Sequence, residues 1–321
     1  MTVQNPVKIA ILMIPALGDA LLFLVLANNL RRSDYQVTFF STPFSQYDLV
    51  ISIPPIVDLY KNVIPADEFD KFCVFIYTGK NEFRYKVHVD HEDRIRKIIN
   101  DQNKLQKILP LLKASDVAFS NISRTLPLVK TMEVFCRTIL GLDNVSKEVE
   151  ISPPRTLTYQ KYNKRIIIHP ASSNNEKNWT PMKFIKLARL LKQQGWDPVF
   201  TMSPPERVDW QKIINNEFSL PIFSTLDELA AFIYESALMI GNDSGVGHLA
   251  SCLNIPTLTI INTNPGSGLR WRPGWAYGEL VYPTISLNVL NRRYWKCFLS
   301  VRKVFNAFNR FVESLRNKNL L

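Results

Sequence analysis

An acid, a hydroxyl, glycines and an imidazole stand close together in one short stretch of the chain, residues 241–249. The stretch reads Gly-Asn-Asp-Ser-Gly-Val-Gly-His-Leu. It follows the apolar run Ala237–Ile240, which predicts a buried strand, and it leads into a predicted helix over His248–Leu253. In a doubly wound sheet such a turn lies at the carboxyl end of a strand, where ligands bind. Because the first amides of a helix attract anions, the pattern is typical of a phosphate site, although a tight βα turn without a ligand would use the same glycines.

Two other loops carry polar residues after predicted strands. Gly18 and Asp19 follow the first strand, and Asp19 is suited either to cap the next helix or to serve as a catalytic carboxylate. Residues 169–180 follow a later strand and read His-Pro-Ala-Ser-Ser-Asn-Asn-Glu-Lys-Asn-Trp-Thr. Small polar residues with Lys177 and Trp179 suit an anionic ligand, whereas a solvated loop with Trp179 in the core is the alternative. Three such loops at matching strand ends favour a ligand site.

Strand and helix patterns alternate along the chain, which predicts an α/β protein with parallel sheets. Residues 143–163 lose this alternation and contain Pro153-Pro154, so we interpret them as an interdomain linker. Two doubly wound domains facing a cleft are therefore expected, over residues 1–152 and 153–290. We expect strands at residues 7–14, 35–41, 72–77, 117–120, 165–169, 198–202, 221–223, 237–240 and 257–261, and helices at 19–32, 93–112, 128–140, 181–194, 206–216, 226–235 and 248–253.

The charge of the chain is concentrated at one end. Of the net charge of +11, residues 292–321 contribute +7, because they hold eight basic residues and one acidic residue. Apolar residues recur there at a spacing of three and four from Trp295 to Leu315, which predicts an amphipathic helix over residues 291–321. Its apolar face either packs on the protein or lies on anionic lipid. A basic surface suggests an anionic partner: nucleic acid, a membrane or a phosphorylated glycolipid.

Several classes of protein are excluded by motifs that the sequence lacks. It contains no Gly-x-Gly-x-x-Gly after the first strand, no Walker loop and no Gly-x-Ser-x-Gly nucleophile elbow. No Asp-x-Asp pair is present to hold a metal on a diphosphate, and we interpret His88 and His91 as surface residues rather than zinc ligands. The four cysteines are scattered and no apolar run reaches membrane-spanning length, so we expect a cytoplasmic protein.

At these loops the sequence resembles glycosyltransferase family 9, the bacterial heptosyltransferases of lipopolysaccharide core assembly. The resemblance is strongest from about Arg165 to Pro273, and the N-terminal half matches only weakly outside Gly18-Asp19. Ala171 and Asn178 differ from the family's usual glycine and basic residue. The motifs that carry it are Ile166–Pro170, Glu176–Thr180, Ser224–Ala230, Gly241–Gly245 with His248-Leu249-Ala250, and Ile255-Pro256-Thr257.

This resemblance implies a GT-B fold, in which two Rossmann-like domains flank the active site. The N-terminal domain (1–152) would bind the acceptor and the C-terminal domain (153–290) the nucleotide sugar, while residues 291–321 would pack back on the N-terminal domain. It also implies inverting transfer without a metal or cofactor, from ADP-L-glycero-D-manno-heptose to a lipopolysaccharide core acceptor. Asp19 would be the general base and Lys177 would neutralise the donor phosphates. The donor would be held by Gly18, Ser172, Trp179, Asn242, Asp243, Ser244, Gly245 and His248.

We therefore expect a cytoplasmic glycosyltransferase in peripheral contact with the inner membrane, acting on a nucleotide sugar and an anionic glycolipid. Two alternatives keep the fold: another nucleoside-diphosphate sugar as donor, or a sugar-nucleotide binder without catalysis. A nucleic-acid-binding protein is suggested only by charge, since the sequence lacks the usual nucleic-acid-binding motifs, so we expect no nucleic acid partner.

Overall fold

The computed structural model describes residues 8–12, 17–40, 56–57, 71–74, 126–138, 140–262, 270–283 and 291–321. The chain divides into two compact units, one of residues 1–123 and 129–152 and one of residues 124–128 and 153–321. The first unit ends at residue 152, and residues 291–321 belong to the second unit. The helix expected at 93–112, the strand expected at 117–120, and His88 and His91 lie outside the described residues.

The first unit contains a parallel sheet whose strands are ordered β3-β2-β1-β4. The order departs from the order in the chain because β2 and β4 pair on opposite sides of β1. The chain thus changes direction across the sheet at β1, as in a doubly wound fold. The strands are β1 (Lys8–Leu12), β2 (Gln36–Phe40), β3 (Ile56–Val57) and β4 (Lys71–Val74), and the helices are α1 (Leu17–Arg32) and α2 (Leu128–Thr138).

Helix α1 is buried on all sides from Ala20 to Leu30, so it is a core helix rather than an amphipathic surface helix. Its two buried polar residues are hydrogen-bonded to the segment that ends the unit. Asn29 donates to the carbonyl oxygen of Ser146 at 2.8 Å and accepts from the Ser146 amide at 2.8 Å. Arg31 and Arg32 both pair with Glu150. The first half of the predicted linker therefore belongs to the first unit.

The second unit contains a five-stranded parallel sheet ordered β6-β5-β7-β8-β9. Most of its strands alternate with helices, as the sequence predicts, but the helices Pro204–Ile214 and Leu226–Tyr234 follow one another without a strand between them. Strand β9 was not predicted, because its short run Gly-Glu-Leu-Val gives no strand signal. The strands are β5 (Tyr162–His169), β6 (Asp197–Phe200), β7 (Ser236–Asn242), β8 (Thr257–Ile260) and β9 (Gly278–Val281), and the helices are α3 (Pro181–Gln193), α4 (Pro204–Ile214), α5 (Leu226–Tyr234), α6 (Gly245–Cys252), α7 (Asn291–Phe298) and α8 (Val301–Asn317).

Three of the predictions for this unit are wrong, and the first two concern a strand and the start of a helix. Residues 221–223 do not form a strand. On the side of β6 away from β5, an isolated bridge joins Val199 to Ser219 instead. The carbonyl oxygens of Leu220 and Pro221 accept from the Arg207 side chain instead of from a neighbouring strand. The helix predicted to begin at His248 begins at Gly245, because Ser244 caps it. The turn after β7 is therefore only two residues long.

The basic C-terminal segment forms two helices, α7 and α8, instead of the single predicted helix. The break falls at Leu299 and Ser300, where the Ser300 hydroxyl accepts from the Lys303 amide at 3.2 Å and caps α8. The apolar face of α8 is buried in the core of the second unit, with Phe308 against Trp196. Packing of this segment on the first unit stays a prediction.

Candidate functional site

The topology of the second sheet creates a place for a ligand between β5 and β7. From β5 the chain moves to β6 on one side, and β7 pairs on the other side, with His169 opposite Gly241. Both strands run in the same direction, so the loops after His169 and after Asn242 leave from the same edge of the sheet. This is the switch point of a doubly wound fold, where such sheets bind ligands. We call the loop of residues 170–180 the lysine loop and residues 243–245 the acidic turn.

Asn242 ties the lysine loop to the end of β7. Its amide nitrogen donates to the carbonyl oxygen of Pro170 at 2.5 Å, and its amide oxygen accepts from the backbone N–H of Trp179 at 3.0 Å. The side chain is 1% exposed. A single amide thus binds both ends of the loop, at residues 170 and 179. Asn242 has no surface with which to contact a donor, so the expected contact is corrected to a structural role within the site.

Lys177 and Asp243 bring the two loops together at the surface. Lys177 is the last residue of a single turn of 3₁₀ helix, Asn175–Lys177, in which the amide of Glu176 donates to the capping side chain of Asn174 at 2.9 Å. Its Nζ lies 3.3 Å from Oδ2 of Asp243. The lysine side chain is 46% exposed and the aspartate 22%, so both are open to a ligand. An ammonium group has three donors, and the contact with Asp243 uses one of them.

The acidic turn ends at the amino end of α6. Ser244 takes an extended conformation and accepts from the amide of Gly247 at 3.3 Å. Gly245 and Val246, half-buried, form the first turn. The first amides of a helix carry partial positive charge and favour an anion. Lys177 and the amino end of α6 therefore lie close together, and each contributes positive potential that favours an anionic ligand.

His248 faces the same region from the first turns of α6. It is 6% exposed and lies edge-on to Trp275, with ring centroids 6.1 Å apart. Burial lowers the pKa of its imidazole, while nearby Asp243 acts in the opposite direction. Its Nδ1 makes no hydrogen bond with the described residues. His248 is thus a buried imidazole beside the acidic turn, and its contact with a donor stays a prediction.

His169, at the end of β5, is a structural residue. Its Nδ1 is 2.9 Å from the carbonyl oxygen of Thr201, which follows β6. Burial lowers the pKa of this imidazole, with the hydrogen bond to Thr201 opposing the effect. A neutral ring that donates to Thr201 links the carboxyl ends of β5 and β6. It thereby fixes the point at which the lysine loop leaves β5.

Two residues that the sequence placed in contact with the donor have other partners. The Trp179 ring is 1% exposed and packs edge-on against Phe184, and its indole N–H donates to the carbonyl oxygen of Leu299 at 3.1 Å. The alternative interpretation, a core tryptophan, is the one that the structure supports. The Ser172 hydroxyl lies 2.7 Å from Oδ1 of Asn178, so it shapes the loop while keeping half-buried access to a ligand.

Gly18 and Asp19 lie in the first turn of α1, after β1 of the first unit. The helix begins at Leu17, so Asp19 is its third residue and does not occupy the capping position that the sequence suggested. A carboxylate in the first turn still interacts favourably with the helix dipole. Its role as general base stays a prediction.

The structure also reveals residues of the site that the sequence did not indicate. Trp295 and Lys296 of α7 donate to the carbonyl oxygens of Glu176 and Asn175, at 2.9 and 3.1 Å. Their sequence positions, about 120 residues from the lysine loop, gave no signal except the apolar spacing that includes Trp295. In the part of the chain that the structure describes, no group of three His, Cys, Asp or Glu side chains is placed to hold a metal ion.

A doubly wound sheet with polar loops, a lysine and a helix amino end at its switch point is typical of α/β proteins that bind anionic ligands. The model of glycosyltransferase family 9 (heptosyltransferase) matches residues 113–273. Because this stretch covers half of the chain and contains both loops of the site, the chain belongs to that family.

Two curated relatives match over part of their length. Lipopolysaccharide heptosyltransferase 1 of Campylobacter coli is 29% identical over 140 residues, which are 41% of this chain and 40% of that protein. Lipopolysaccharide heptosyltransferase 3 of Escherichia coli is 28% identical over 156 residues, 42% of this chain and 44% of that protein. The matched stretch thus spans less than half the length of either relative.

Solved structures match over nearly the whole chain. A glycosyltransferase family 9 protein of Veillonella parvula has a TM-score of 0.62 at 16% identity, covering 97% of this chain and 99% of that one. The ADP-heptose lipopolysaccharide heptosyltransferase II of E. coli has a TM-score of 0.65 at 13% identity, covering 96% and 99%. At this level of identity the likeness shows the fold, and the predicted GT-B fold is confirmed.

Proposed function

We propose that the protein is a glycosyltransferase that moves heptose from ADP-heptose to a lipopolysaccharide core acceptor. The observation that carries the proposal is the position of Lys177. Its ammonium group lies 3.3 Å from Asp243, in the turn that leads into α6, at the switch point of the sheet. A diphosphate bound here would meet a fixed positive charge and the first amides of a helix.

The reaction that we propose is an inverting displacement at the sugar. An acceptor hydroxyl attacks the anomeric carbon, the bond from that carbon to the diphosphate oxygen breaks, and ADP leaves with the electron pair. A carboxylate takes the proton of the hydroxyl, and we assign this role to Asp19. Negative charge develops on the leaving diphosphate, where Lys177 and the amides of α6 stabilise it without a metal. Asp243 orients Lys177, and its second oxygen accepts from a hydroxyl of the donor.

The role of Lys177 is tested by titrating ADP into the full chain and its variants. A charge-assisted hydrogen bond contributes about 1.5–3 kcal/mol, and the half-exposed position of Lys177 favours the lower end. We therefore expect Lys177→Met to weaken ADP binding about tenfold, and Lys177→Arg to weaken it less. Lys186→Met is the control, because Lys186 is an exposed lysine of α3 outside the lysine loop. Equal ADP affinity for Lys177→Met and the unchanged chain would overturn the proposal.

The donor and the base are tested separately. Preferential binding of ADP over UDP supports ADP-heptose, whereas preference for UDP would show that the donor is another nucleotide sugar. Asp19→Asn is expected to abolish transfer to a heptose-free core acceptor while ADP still binds. Full turnover by Asp19→Asn would remove it as the base, and ADP binding without transfer to any core acceptor by the unchanged chain would indicate a binding protein.

We also propose that the protein works in the cytoplasm, in peripheral contact with the anionic inner face of the inner membrane. The outward face of α8 carries Arg302, Arg310 and Arg316, all exposed, while α7 exposes Tyr294. Basic residues near an anionic surface contribute about 1 kcal/mol each. No helix among the described residues has the length and apolarity needed to span a membrane. Replacing the three arginines by Gln should abolish sedimentation with phosphatidylglycerol vesicles at 0.1 M salt; unchanged sedimentation would refute this surface.

A further inference from the structure

The peptide bond between Glu176 and Lys177 is held on both of its polar atoms. Its carbonyl oxygen, on Glu176, accepts from the indole N–H of Trp295 at 2.9 Å. Its nitrogen, on Lys177, donates to the carbonyl oxygen of Asn174 at 2.9 Å. A 3₁₀ turn of three residues has weak internal hydrogen bonds and leaves its last carbonyl groups without helical partners. The orientation of this peptide, and with it the direction in which Lys177 leaves the backbone, therefore depends on Trp295.

Trp295 itself is fixed in the core of the second unit. Its side chain is 0% exposed although its N–H reaches the loop, so the donor atom cannot move without disturbing the core. The neighbouring Lys296 donates to the carbonyl oxygen of Asn175 at 3.1 Å. Two successive residues of α7 thus hold two successive carbonyl groups of the 3₁₀ turn.

The carboxyl end of α7 is in turn held by α3, the helix that follows the lysine loop. Lys183, in the first turn of α3, donates to the carbonyl oxygens of Lys296 and of Leu299, the latter at 2.9 Å. Burial lowers the pKa of its ammonium group. The indole N–H of Trp179 also donates to Leu299 at 3.1 Å. The lysine loop and α7 therefore form a closed set of contacts in which each fixes the other.

We propose that Trp295 is a positioning residue of the donor site: it acts through the Glu176–Lys177 peptide to place the ammonium group of Lys177 beside the acidic turn. The proposal rests on the proposed role of Lys177 in binding the donor diphosphate. A long flexible side chain reaches a target with little entropic cost only when its backbone is fixed, and displacements of about 1 Å are enough to impair a site.

The test compares Trp295→Phe with Trp196→Phe in an ADP titration of the full chain. Both variants remove an indole from the same core, but Trp196 packs on Phe308 and lies outside α7. We expect Trp295→Phe to weaken ADP binding about threefold to tenfold, as for one neutral hydrogen bond, and Trp196→Phe to leave it within twofold. Lys296→Met, at a half-buried position, is a milder second variant and should act in the same direction.

A double-mutant cycle separates positioning from general loosening of the fold. If Trp295 acts through Lys177, Trp295→Phe should cause no further loss of ADP affinity in a Lys177→Met background. Hydrogen exchange at the Lys177 amide should be faster in Trp295→Phe and unchanged in Trp196→Phe. Equal effects of the two Trp variants on ADP affinity and on this amide would overturn the proposal. If Lys177→Met alone leaves ADP affinity unchanged, the proposed function fails, and the exchange rate of the Lys177 amide still decides whether Trp295 positions the peptide.

Discussion

Asn242→Asp replaces one atom of the buried amide that closes the lysine loop. The oxygen that accepts from Trp179 at 3.0 Å is kept, whereas the nitrogen that donates to Pro170 at 2.5 Å becomes an oxygen. Two acceptors then face each other in a position that is 1% exposed. Losing a buried partner costs about 1–3 kcal/mol, and an uncompensated buried charge costs more. We expect the free energy of unfolding to fall by about 3 kcal/mol at pH 8.

The magnitude should depend on pH with a definite sign. A protonated carboxyl group can donate to the carbonyl oxygen of Pro170, whereas a carboxylate cannot. The destabilisation should therefore be smaller at pH 5.5 than at pH 8, when each is measured against the unchanged chain at the same pH. A loss of about 3 kcal/mol corresponds to a fall in melting temperature of about 6–12 °C for a unit of this size.

Tryptophan fluorescence during guanidinium denaturation is the appropriate assay, because all six tryptophans of the chain lie in residues 179–295, within the second unit. The control is Asn174→Asp. Asn174 is exposed and uses its amide oxygen to accept from Glu176 at 2.9 Å, a contact that a carboxylate keeps. A change within about 0.5 kcal/mol is expected for the control. If Asn242→Asp is as mild as Asn174→Asp, Asn242 does not hold the loop.

Two further predictions concern the switch point. Gly241→Ala would place a Cβ atom 2.5 Å from the carbonyl oxygen of His169, so β5 and β7 must separate, and we expect a loss of about 1–3 kcal/mol in denaturation. Gly247→Ala is the control, because its added Cβ atom would meet its nearest neighbour, the side chain of Pro273, at an ordinary 3.8 Å. Because burial lowers the pKa of His169 and His248 below 6.5, the unfolded chain binds protons first on acidification. Stability should therefore decrease below about pH 6.5, by up to about 1.4 kcal/mol per pH unit for each imidazole, and His169→Gln should reduce the slope; an unchanged slope would contradict this.

The order of β5, β6, β7 and β8 in the second unit could be predicted, because each of these buried parallel strands is a short apolar run between polar loops. The position of the switch point could be predicted from the same pattern, since the apolar runs that end at Ile168 and at Ile240 each lead into a loop with small polar residues. Asp243 and Lys177 were selected by residue type, and the structure brings them to 3.3 Å.

What the sequence could not supply were the partners of each polar atom. Asn242 and Asp243 are adjacent polar residues, yet Asn242 is buried and holds the lysine loop, whereas Asp243 is partly exposed. The distinction depends on where the lysine loop passes, which no local pattern encodes. The start of α6 was placed too late because Gly245 and Gly247 are poor helix formers, but the Ser244 cap and the packing of the helix outweigh that preference.

The break between α7 and α8 gives a last prediction that joins the fold to the site. In a continuous helix the carbonyl oxygen of Leu299 would accept from the amide of Lys303, four residues later. Here that amide donates to the Ser300 hydroxyl at 3.2 Å, which leaves the Leu299 oxygen to the side chains of Trp179 and Lys183. Ser300 therefore does more than cap α8, because it keeps an acceptor available for the lysine loop.

Ser300→Ala should cost about 1 kcal/mol of stability as a lost cap, and it should also weaken ADP binding, because the Lys303 amide then competes for the Leu299 oxygen. Thr225→Ala is the matched control, since the Thr225 hydroxyl caps α5 by accepting from the amide of Glu228 at 3.2 Å, and Thr225 lies outside the lysine loop and α7. The two variants should lose similar stability in denaturation, while only Ser300→Ala loses ADP affinity in calorimetry. Equal ADP affinities would show that the break serves the packing of α8 alone, and that the Leu299 oxygen does not need Ser300 to remain with the loop.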